Sequence, residues 1–303
     1  MIEVILKGGL GNQMFQYASA YALASKLKTQ IQLNDVFLNT YLPIPGFTKR
    51  KYELDLFGIV NNSLHTSNSY TSYITKSLSI VTKPNTFIQG NPILSPLYKL
   101  TGISAKEDPY IYYADFDVLK DGAILDGFFH NYRYFDDYEV QLKAIFNTQL
   151  LQDASYAPLE KDMGNENSVA LHIRLGDYLN AKNKKIYLDL HDYYQEAITK
   201  VKETIHNPHF YVFAVDMSGS AEVGKYLKLE AGEFTHLGRQ DTGERFRTYF
   251  RLFSLCNAAI VSNSSFSFWA AYVGQSKLTY CPHRWTSLHA KFDVPKNWIG
   301  VYN

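Results

Sequence analysis

Short apolar runs separated by amphipathic stretches dominate the second half of the chain. Val169–Ile173 is typical of a buried strand, and residues 191–206 repeat apolar positions at helical spacing. The same patterns predict further strands at 210–215, 258–262 and 277–281, and helices at 244–256 and 264–273. Strands that alternate with helices indicate a parallel sheet under right-handed crossovers.

The first half opens with a strand, a glycine turn and a helix. Glu3–Lys7 has a strand pattern, and apolar residues then recur at helical spacing from Asn12 to Lys28, with Asn12 suited to the N-cap. Later segments predict strands at 31–33 and 123–129, a helix at 138–147, short helices and loops at 40–110, and a linker at 152–167. We therefore expect an α/β, GT-B-like fold in which two Rossmann-like halves, 1–155 and 156–303, face each other across a cleft.

Composition narrows the function classes. The chain has 303 residues, enough for two domains of about 150 residues each. Its 30 basic and 29 acidic residues leave a net charge of +1, which does not suit a nucleic-acid partner. Two cysteines make neither a disulfide framework nor a metal cluster. No signal-peptide pattern or apolar span is evident, so we expect a cytoplasmic protein without a transmembrane segment.

Three segments at strand ends carry candidate chemistry. In the first, Gly8-Gly9-Leu10-Gly11-Asn12-Gln13, glycines let the backbone approach a ligand, and the following helix offers N–H groups to an anion. A dinucleotide fingerprint is an alternative interpretation, but its third glycine is replaced by Met14. A tight turn without any ligand is equally compatible with the glycines.

The second segment, His172-Ile173-Arg174-Leu175-Gly176-Asp177, follows a buried strand. Strand alternation places His172 and Arg174 on one face, and an arginine there can hold a phosphate with two donors. An Arg174–Asp177 ion pair, with His172 in the core, is the alternative. The third segment delivers Ser262-Asn263-Ser264-Ser265 to a helix N-terminus, where hydroxyl and N–H groups suit an anion or cap the helix. Three such sites favour a nucleotide-sugar or dinucleotide ligand.

These three segments resemble the signature blocks of the bacterial α-1,2-fucosyltransferases, glycosyltransferase family 11. The first block extends from Gly8 to Ala18 and the third to Ala271, and the order of blocks matches over nearly the whole chain. The resemblance implies transfer of L-fucose from GDP-β-L-fucose to the 2-hydroxyl of a galactoside, with inversion and without a metal or other cofactor. Its acceptor would be a galactose-containing oligosaccharide or lipid-linked glycan, met at the inner face of the bacterial membrane.

The resemblance also assigns residues and domains. It makes 1–155 the acceptor-side domain, 156–303 the GDP-fucose-binding domain and Arg174 the residue that grips the donor pyrophosphate. The further donor-binding candidates are Gly9, Gly11, Asn12, Gln13, His172, Asp216, Asn263, Ser264 and Ser265. The sequence departs from the family pattern at three places. Leu175 replaces a second arginine, Val215 replaces an aspartate, and an aspartate that the family often has is replaced around Tyr249.

Catalytic candidates besides Arg174 are Asp177, Asp126 and His130, among which the sequence does not choose a general base. His130 stands where the family more often has glutamine, which suits a contact with the acceptor sugar. Asp115 and Asp117 have the spacing of a metal-binding pair, but their polar surroundings favour solvated surface. Alternative functions are a fucosyltransferase of another linkage or acceptor, a nicotinamide-dependent oxidoreductase and a non-catalytic carbohydrate-binding protein.

Overall fold

The computed structural model describes residues 1–39, 50–62, 85–89, 106, 108–174, 188–238, 246–287 and 292–302. The chain divides into two compact units, Met1–Leu142 and Lys143–Asn303. Within the described residues each unit has one sheet, and all the paired strands in both sheets are parallel.

Unit 1 is built on a four-stranded sheet. Its strands are β1 (Ile2–Ile5), β2 (Ile31–Asn34), β3 (Thr86–Ile88) and β4 (Ile124–Asp126), in the order β2-β1-β4-β3. Helix α1 (Leu10–Lys26) connects β1 to β2, and α2 (Glu139–Ile145) spans the division between the units. Single 3-10 turns lie at Leu54–Phe57, Ala114–Val118, Tyr132–Tyr134 and Asp136–Tyr138.

Unit 2 is built on a six-stranded sheet in the order β10-β9-β8-β5-β6-β7. The strands are β5 (Ser168–His172), β6 (His209–Phe213), β7 (Phe234–Leu237), β8 (Ala258–Ile260), β9 (Leu278–Pro282) and β10 (Trp298–Val301). The helices are α3 (Ala157–Met163), α4 (His191–Thr204), α5 (Ser220–Leu227), α6 (Phe246–Leu255) and α7 (Ser265–Val273). Two 3-10 turns, Thr148–Leu151 and Ala154–Tyr156, precede α3.

The core of unit 2 explains why its strands are almost continuously apolar. Tyr193, Ala197 and Val201 of α4 are fully buried in one apolar cluster with residues of β5, β6 and β8. The hydroxyl of Tyr193 donates to the backbone oxygens of Val261 (2.7 Å) and Tyr280 (2.9 Å), which satisfies its buried polar tip. The central strands of a parallel sheet are buried on both faces, so no polar alternation remains.

The two parallel α/β units confirm the predicted fold class of two Rossmann-like halves. Most predicted strands and helices are present with ends shifted by a few residues. The helix after the glycine turn is an exception of consequence, because it begins at Leu10 and its N-cap is Gly9. The prediction that Asn12 caps this helix is therefore wrong, and its side chain is available for another contact.

Residues 152–167 do not form the predicted linker. They include α3, whose Glu160 accepts hydrogen bonds from the Arg251 guanidinium in α6 at 3.3 and 3.1 Å. Arg251 also donates to Thr148 and Gln149 at 3.4 Å. The buried Arg251 thus joins this segment to α6 of unit 2 through Glu160. The units divide after Leu142 rather than after residue 155.

We expect Arg251→Ala to lower the free energy of unfolding by about 3 kcal/mol, since it leaves a buried carboxylate without its cation. The side chains of Arg251 and Glu160 are only 6% and 10% exposed. Lys200→Ala is the matched control, because Lys200 pairs with Glu196 on the surface of α4 and such pairs contribute about 0.5 kcal/mol or less. Urea denaturation of the full chain measures both, and equal losses would contradict the role given to Arg251.

Candidate functional site

The carboxyl ends of β5 and β8 form the topological switch point of unit 2. These strands are neighbours, yet the chain leaves β5 for β6 on one side and β8 for β9 on the other. Ligands of open α/β sheets bind in the crevice that such diverging connections leave. The second and third sequence segments meet here, because His172 ends β5 and Arg174 follows it, while residues 261–264 connect β8 to α7.

His172 is held from three directions. Its Nδ1 shares a hydrogen bond with Ser262 Oγ at 2.7 Å, and its backbone oxygen accepts from the Tyr194 hydroxyl at 3.0 Å. The ring also packs on Phe266, with 5.2 Å between centroids. Burial, together with the nearby charge of Arg174, lowers the pKa of His172 to about 3. His172 is therefore neutral at pH 7 and is a fixed part of the switch point.

Arg174 brings a positive charge to the start of α7. Its guanidinium donates to Ser264 Oγ at 3.1 Å. Ser264 is the N-cap residue of α7, but its side chain makes no capping hydrogen bond. The serine hydroxyl thus orients Arg174, and the guanidinium charge adds to the partial positive charge of the helix N-terminus. This combination is suited to an anion such as a phosphate.

The neighbouring predicted residues differ in their exposure. Asn263 is buried, and its amide donates to the backbone oxygen of Trp285 at 3.1 Å, which fixes the loop before α7. Ser265 is half-buried in the first turn of α7, and Asp216 is exposed beyond the end of β6. Asp177 and Leu175 lie outside the described residues.

Two of the positions that depart from the family pattern, Tyr249 and Val215, lie in the described part of unit 2. The hydroxyl of Tyr249 donates to the backbone oxygen of Leu237 at 2.7 Å, and its ring packs on Phe213. Tyr249 therefore ties α6 to the end of β7. Val215 is exposed beyond β6, beside Asp216.

In unit 1 the glycine turn is anchored by Gln13. The buried amide of this residue donates to the backbone oxygens of Gly8 (2.9 Å) and Lys51 (2.8 Å) and accepts from the Glu53 N–H at 3.0 Å. Gly8 has φ of 74°, in the left-handed region that favours glycine. Gln13, predicted to contact the donor, thus has its side chain hydrogen-bonded to the protein backbone. Gly9 is the N-cap of α1, and Gly11 is the second residue of the helix.

A buried ion pair joins the ends of β1 and β4. Lys7 Nζ contacts Asp126 Oδ1, and these side chains are 3% and 1% exposed. Gln16 supports the same place, accepting from the Lys7 N–H at 2.9 Å and donating to the Gly127 oxygen at 3.1 Å. Asp126 is therefore engaged by a cation and shielded from solvent, which disfavours it as a general base. Sequence reasoning did not identify Lys7, although it directly precedes the glycines.

His130 and Asn12 lie together beside this turn. His130 Nε2 is 3.1 Å from Asn12 Oδ1, and burial lowers the pKa of His130 to about 3. A neutral imidazole with so low a pKa is a weak proton acceptor at pH 7, so His130 is not suited to general-base chemistry.

Asp115 and Asp117 lie on the surface in a 3-10 turn, as their polar surroundings predicted. Asp115 pairs with Lys106 at 2.5 Å, which lowers its pKa, and Asp117 accepts from the Tyr112 hydroxyl and from Lys26. Over the parts of the chain that the structure describes, no three His, Cys, Asp or Glu side chains are grouped so as to hold a metal. No described helix is long and apolar enough to cross a membrane.

Comparisons with known proteins agree with the sequence motifs. The family model for glycosyl transferase family 11 matches residues 1–301. An alpha-1,2-colitosyltransferase of Escherichia coli is 26% identical over 98% of this chain and 97% of its own length. The O-antigen biosynthesis glycosyltransferase WbnK of Escherichia coli is 29% identical over 98% of this chain and 99% of its own. The solved fucosyltransferase NodZ from Bradyrhizobium aligns at 14% identity and a TM-score of 0.45, covering 89% of this chain and 92% of that one.

We expect Gly8→Ala to destabilise the protein more than Gly122→Ala. Both glycines have positive φ, 74° and 84°, which costs a side chain about 1 kcal/mol. A Cβ on Gly122 would meet no described atom within 4 Å, whereas one on Gly8 would lie 2.2 Å from Asn12 Nδ2. Relieving that contact moves Asn12 away from His130 and adds about 1 kcal/mol for the lost hydrogen bond. Urea denaturation compares the two variants, and equal losses would count against this packing.

Proposed function

Because the chain belongs to glycosyltransferase family 11, we propose that it transfers L-fucose from GDP-β-L-fucose to the 2-hydroxyl of a galactoside, with inversion at the fucose anomeric carbon. The observation that carries the proposal is the Arg174–Ser264 hydrogen bond at the N-terminus of α7. This contact fixes a guanidinium beside a helix N-terminus at the switch point of a parallel sheet, where nucleotide phosphates are commonly bound.

The chemistry makes its largest demand on the leaving pyrophosphate. The acceptor oxygen forms a bond to the anomeric carbon from the face opposite GDP, while the bond from that carbon to the phosphate oxygen breaks. Negative charge then develops on the pyrophosphate. Arg174 and the α7 N-terminus supply positive potential that is already oriented, so the site loses little energy in reorganisation. We propose that these groups act without a metal ion.

The acceptor hydroxyl also loses a proton during the transfer. Of the three candidates for the base, Asp126 is engaged by Lys7, and His130 has a pKa of about 3. Asp177 remains the candidate, either as the proton acceptor or as a partner that orients Arg174. Since a positioned base contributes about 10²–10⁴ in rate, loss of this residue would leave measurable transfer.

The names of two relatives support the proposed α-1,2 linkage and a role in the synthesis of a surface polysaccharide. One is named an alpha-1,2-colitosyltransferase and another an O-antigen biosynthesis glycosyltransferase. We propose an acceptor that is a galactose-containing oligosaccharide or lipid-linked glycan, bound mainly by unit 1, and a cytoplasmic enzyme working at the inner face of the bacterial membrane. A second candidate donor is GDP-colitose, since colitose is L-fucose without its 3-hydroxyl and a relative is named for its transfer.

We expect Arg174→Ala to lower kcat by about 10²–10³, as the removal of one preorganised donor typically does. Arg174→Lys should recover little, because an ammonium lacks the planar set of donors that holds a phosphate bidentately. Transfer from GDP-fucose is measured at saturating acceptor. Arg247→Ala is the control, since its guanidinium donates to the backbone oxygens of Leu150 and Leu151. Nearly unchanged kcat in Arg174→Ala would contradict the assignment.

Calorimetric titration with GDP tests the donor class and the absence of a metal together. We expect GDP to bind equally well with and without EDTA, and to bind Arg174→Ala much more weakly, because the positive charge comes from the protein. GDP-fucose and GDP-colitose, titrated separately, then identify the preferred sugar. Failure of the wild-type protein to bind any guanine nucleotide would refute the proposed function, whereas loss of binding in EDTA would refute only the metal-free mechanism.

A further inference from the structure

His130 occupies a rigid position next to the glycine turn. Its ring packs edge-on against Phe15, and it also contacts Tyr110 and Phe128, with centroid distances of 5.1, 5.2 and 5.3 Å. Its backbone N–H donates to the Pro109 oxygen at 2.8 Å. The preceding Phe129 has φ of 53°, a conformation that a buried aromatic residue adopts only when its surroundings enforce it. These contacts fix the orientation of the imidazole ring.

The hydrogen bond to Asn12 defines the tautomer of this ring. Nε2 lies 3.1 Å from Asn12 Oδ1, and an amide oxygen can only accept, so the proton is on Nε2. Nδ1 is then a bare acceptor; it is buried and has no hydrogen-bond partner among the described residues. Because burial lowers the pKa of His130 to about 3, the ring stays neutral at physiological pH. Its one N–H points at Asn12.

This contact occupies Oδ1 and leaves the Nδ2 group of the Asn12 amide for another partner. Oδ1 is occupied by His130, while Nδ2 lies over Gly8, close enough that a Cβ there would be 2.2 Å away. No hydrogen bond from Nδ2 to a described residue is present, and Asn12 is only half-buried. An amide whose oxygen is clamped has its N–H groups pointing in a defined direction. The turn therefore presents an oriented donor to an oxygen from outside the protein.

We propose that His130 is a positioning residue, which holds the Asn12 amide so that Nδ2 donates to an electron-rich oxygen of the bound substrates. The inference deepens the proposed function and rests on it. A phosphate oxygen of the donor and a sugar hydroxyl share the chemistry that Nδ2 recognises. His130 itself takes no proton and contributes through the direction it gives to Asn12.

Two matched variants separate positioning from packing. His130→Gln keeps a nitrogen donor near the position of Nε2 but loses the ring, whereas His130→Phe keeps the ring and loses the donor. We expect His130→Gln to retain kcat/KM within about twofold, and His130→Phe to lose about tenfold, the usual effect of one hydrogen bond. A merely structural His130 would give the opposite order, with the Phe variant active and the Gln variant impaired, and would overturn the proposal.

Coupling to Asn12 is tested by adding Asn12→Ala to His130→Phe. The double variant should be no less active than Asn12→Ala alone, because both changes remove one interaction. If the activity losses of the two single variants add in full in the double variant, the proposal is contradicted. Calorimetry then identifies the oxygen: weaker GDP binding by His130→Phe indicates a phosphate, while unchanged GDP binding with a raised acceptor KM indicates a sugar hydroxyl.

A readout without substrate keeps this proposal separate from the proposed function. Nitrogen-15 NMR of the His130 ring should show a protonated Nε2 and an unprotonated Nδ1 between about pH 5 and 9. The signal should change in Asn12→Ala. A proton on Nδ1, or a ring that titrates in this range, would overturn the role of His130 even in a protein that binds GDP. Failure to bind GDP would refute the proposed function while leaving the tautomer as predicted.

Discussion

Two side-chain hydrogen bonds join the end of β5 to the residues before α7, His172 to Ser262 and Arg174 to Ser264, and the proposed donor site depends on them. They are possible because β5 and β8 are parallel neighbours whose carboxyl ends leave the sheet together. Ligands of open α/β sheets bind in the crevice that such diverging connections leave. A guanidinium fixed beside a helix N-terminus is prepared for an anion before any ligand arrives, which is the physical requirement for stabilising a leaving pyrophosphate.

In unit 1 a different set of contacts fixes the candidate binding residues. Its glycine turn is held by buried polar side chains, with Gln13 tied to backbone groups of residues 8, 51 and 53, and Lys7 paired with Asp126. Buried polar groups are costly unless they are satisfied, so such contacts restrict the turn to one arrangement. The imidazole of His130 is neutral and forms a hydrogen bond with Asn12 Oδ1. Asp126 and His130, both candidate bases in the sequence, thus contact Lys7 and Asn12 in this structure.

The sequence predicted β5, β6, β8, β9, α4, α6 and α7 of unit 2, because long apolar runs and clear helical periodicity leave few alternatives. The sequence did not predict β7, β10 or α5, each of which buries at most two residues and so has a weak apolar pattern. The sequence also did not reveal α3, since residues 157–163 place three charged residues among apolar ones without a helical period, and Glu160 pairs with the buried Arg251 far along the chain. It also placed the N-cap at Asn12, although glycine can cap as well and the asparagine is engaged by His130. The contact between Arg174 and Ser264 could be predicted only from the order of the three sequence segments, because 90 residues separate the two side chains in the chain.

Hydrogen exchange with and without GDP is the most direct test of the central claim, that the guanidinium of Arg174 and the N-terminus of α7 hold the donor pyrophosphate. The account predicts that GDP slows exchange in residues 172–174 and 262–266, while β10 (Trp298–Val301), at the edge of the same sheet, serves as the internal reference. Slowed exchange confined to the first two segments would support the site. Saturating GDP that leaves both segments unchanged would contradict it, because the bound nucleotide would then lie elsewhere.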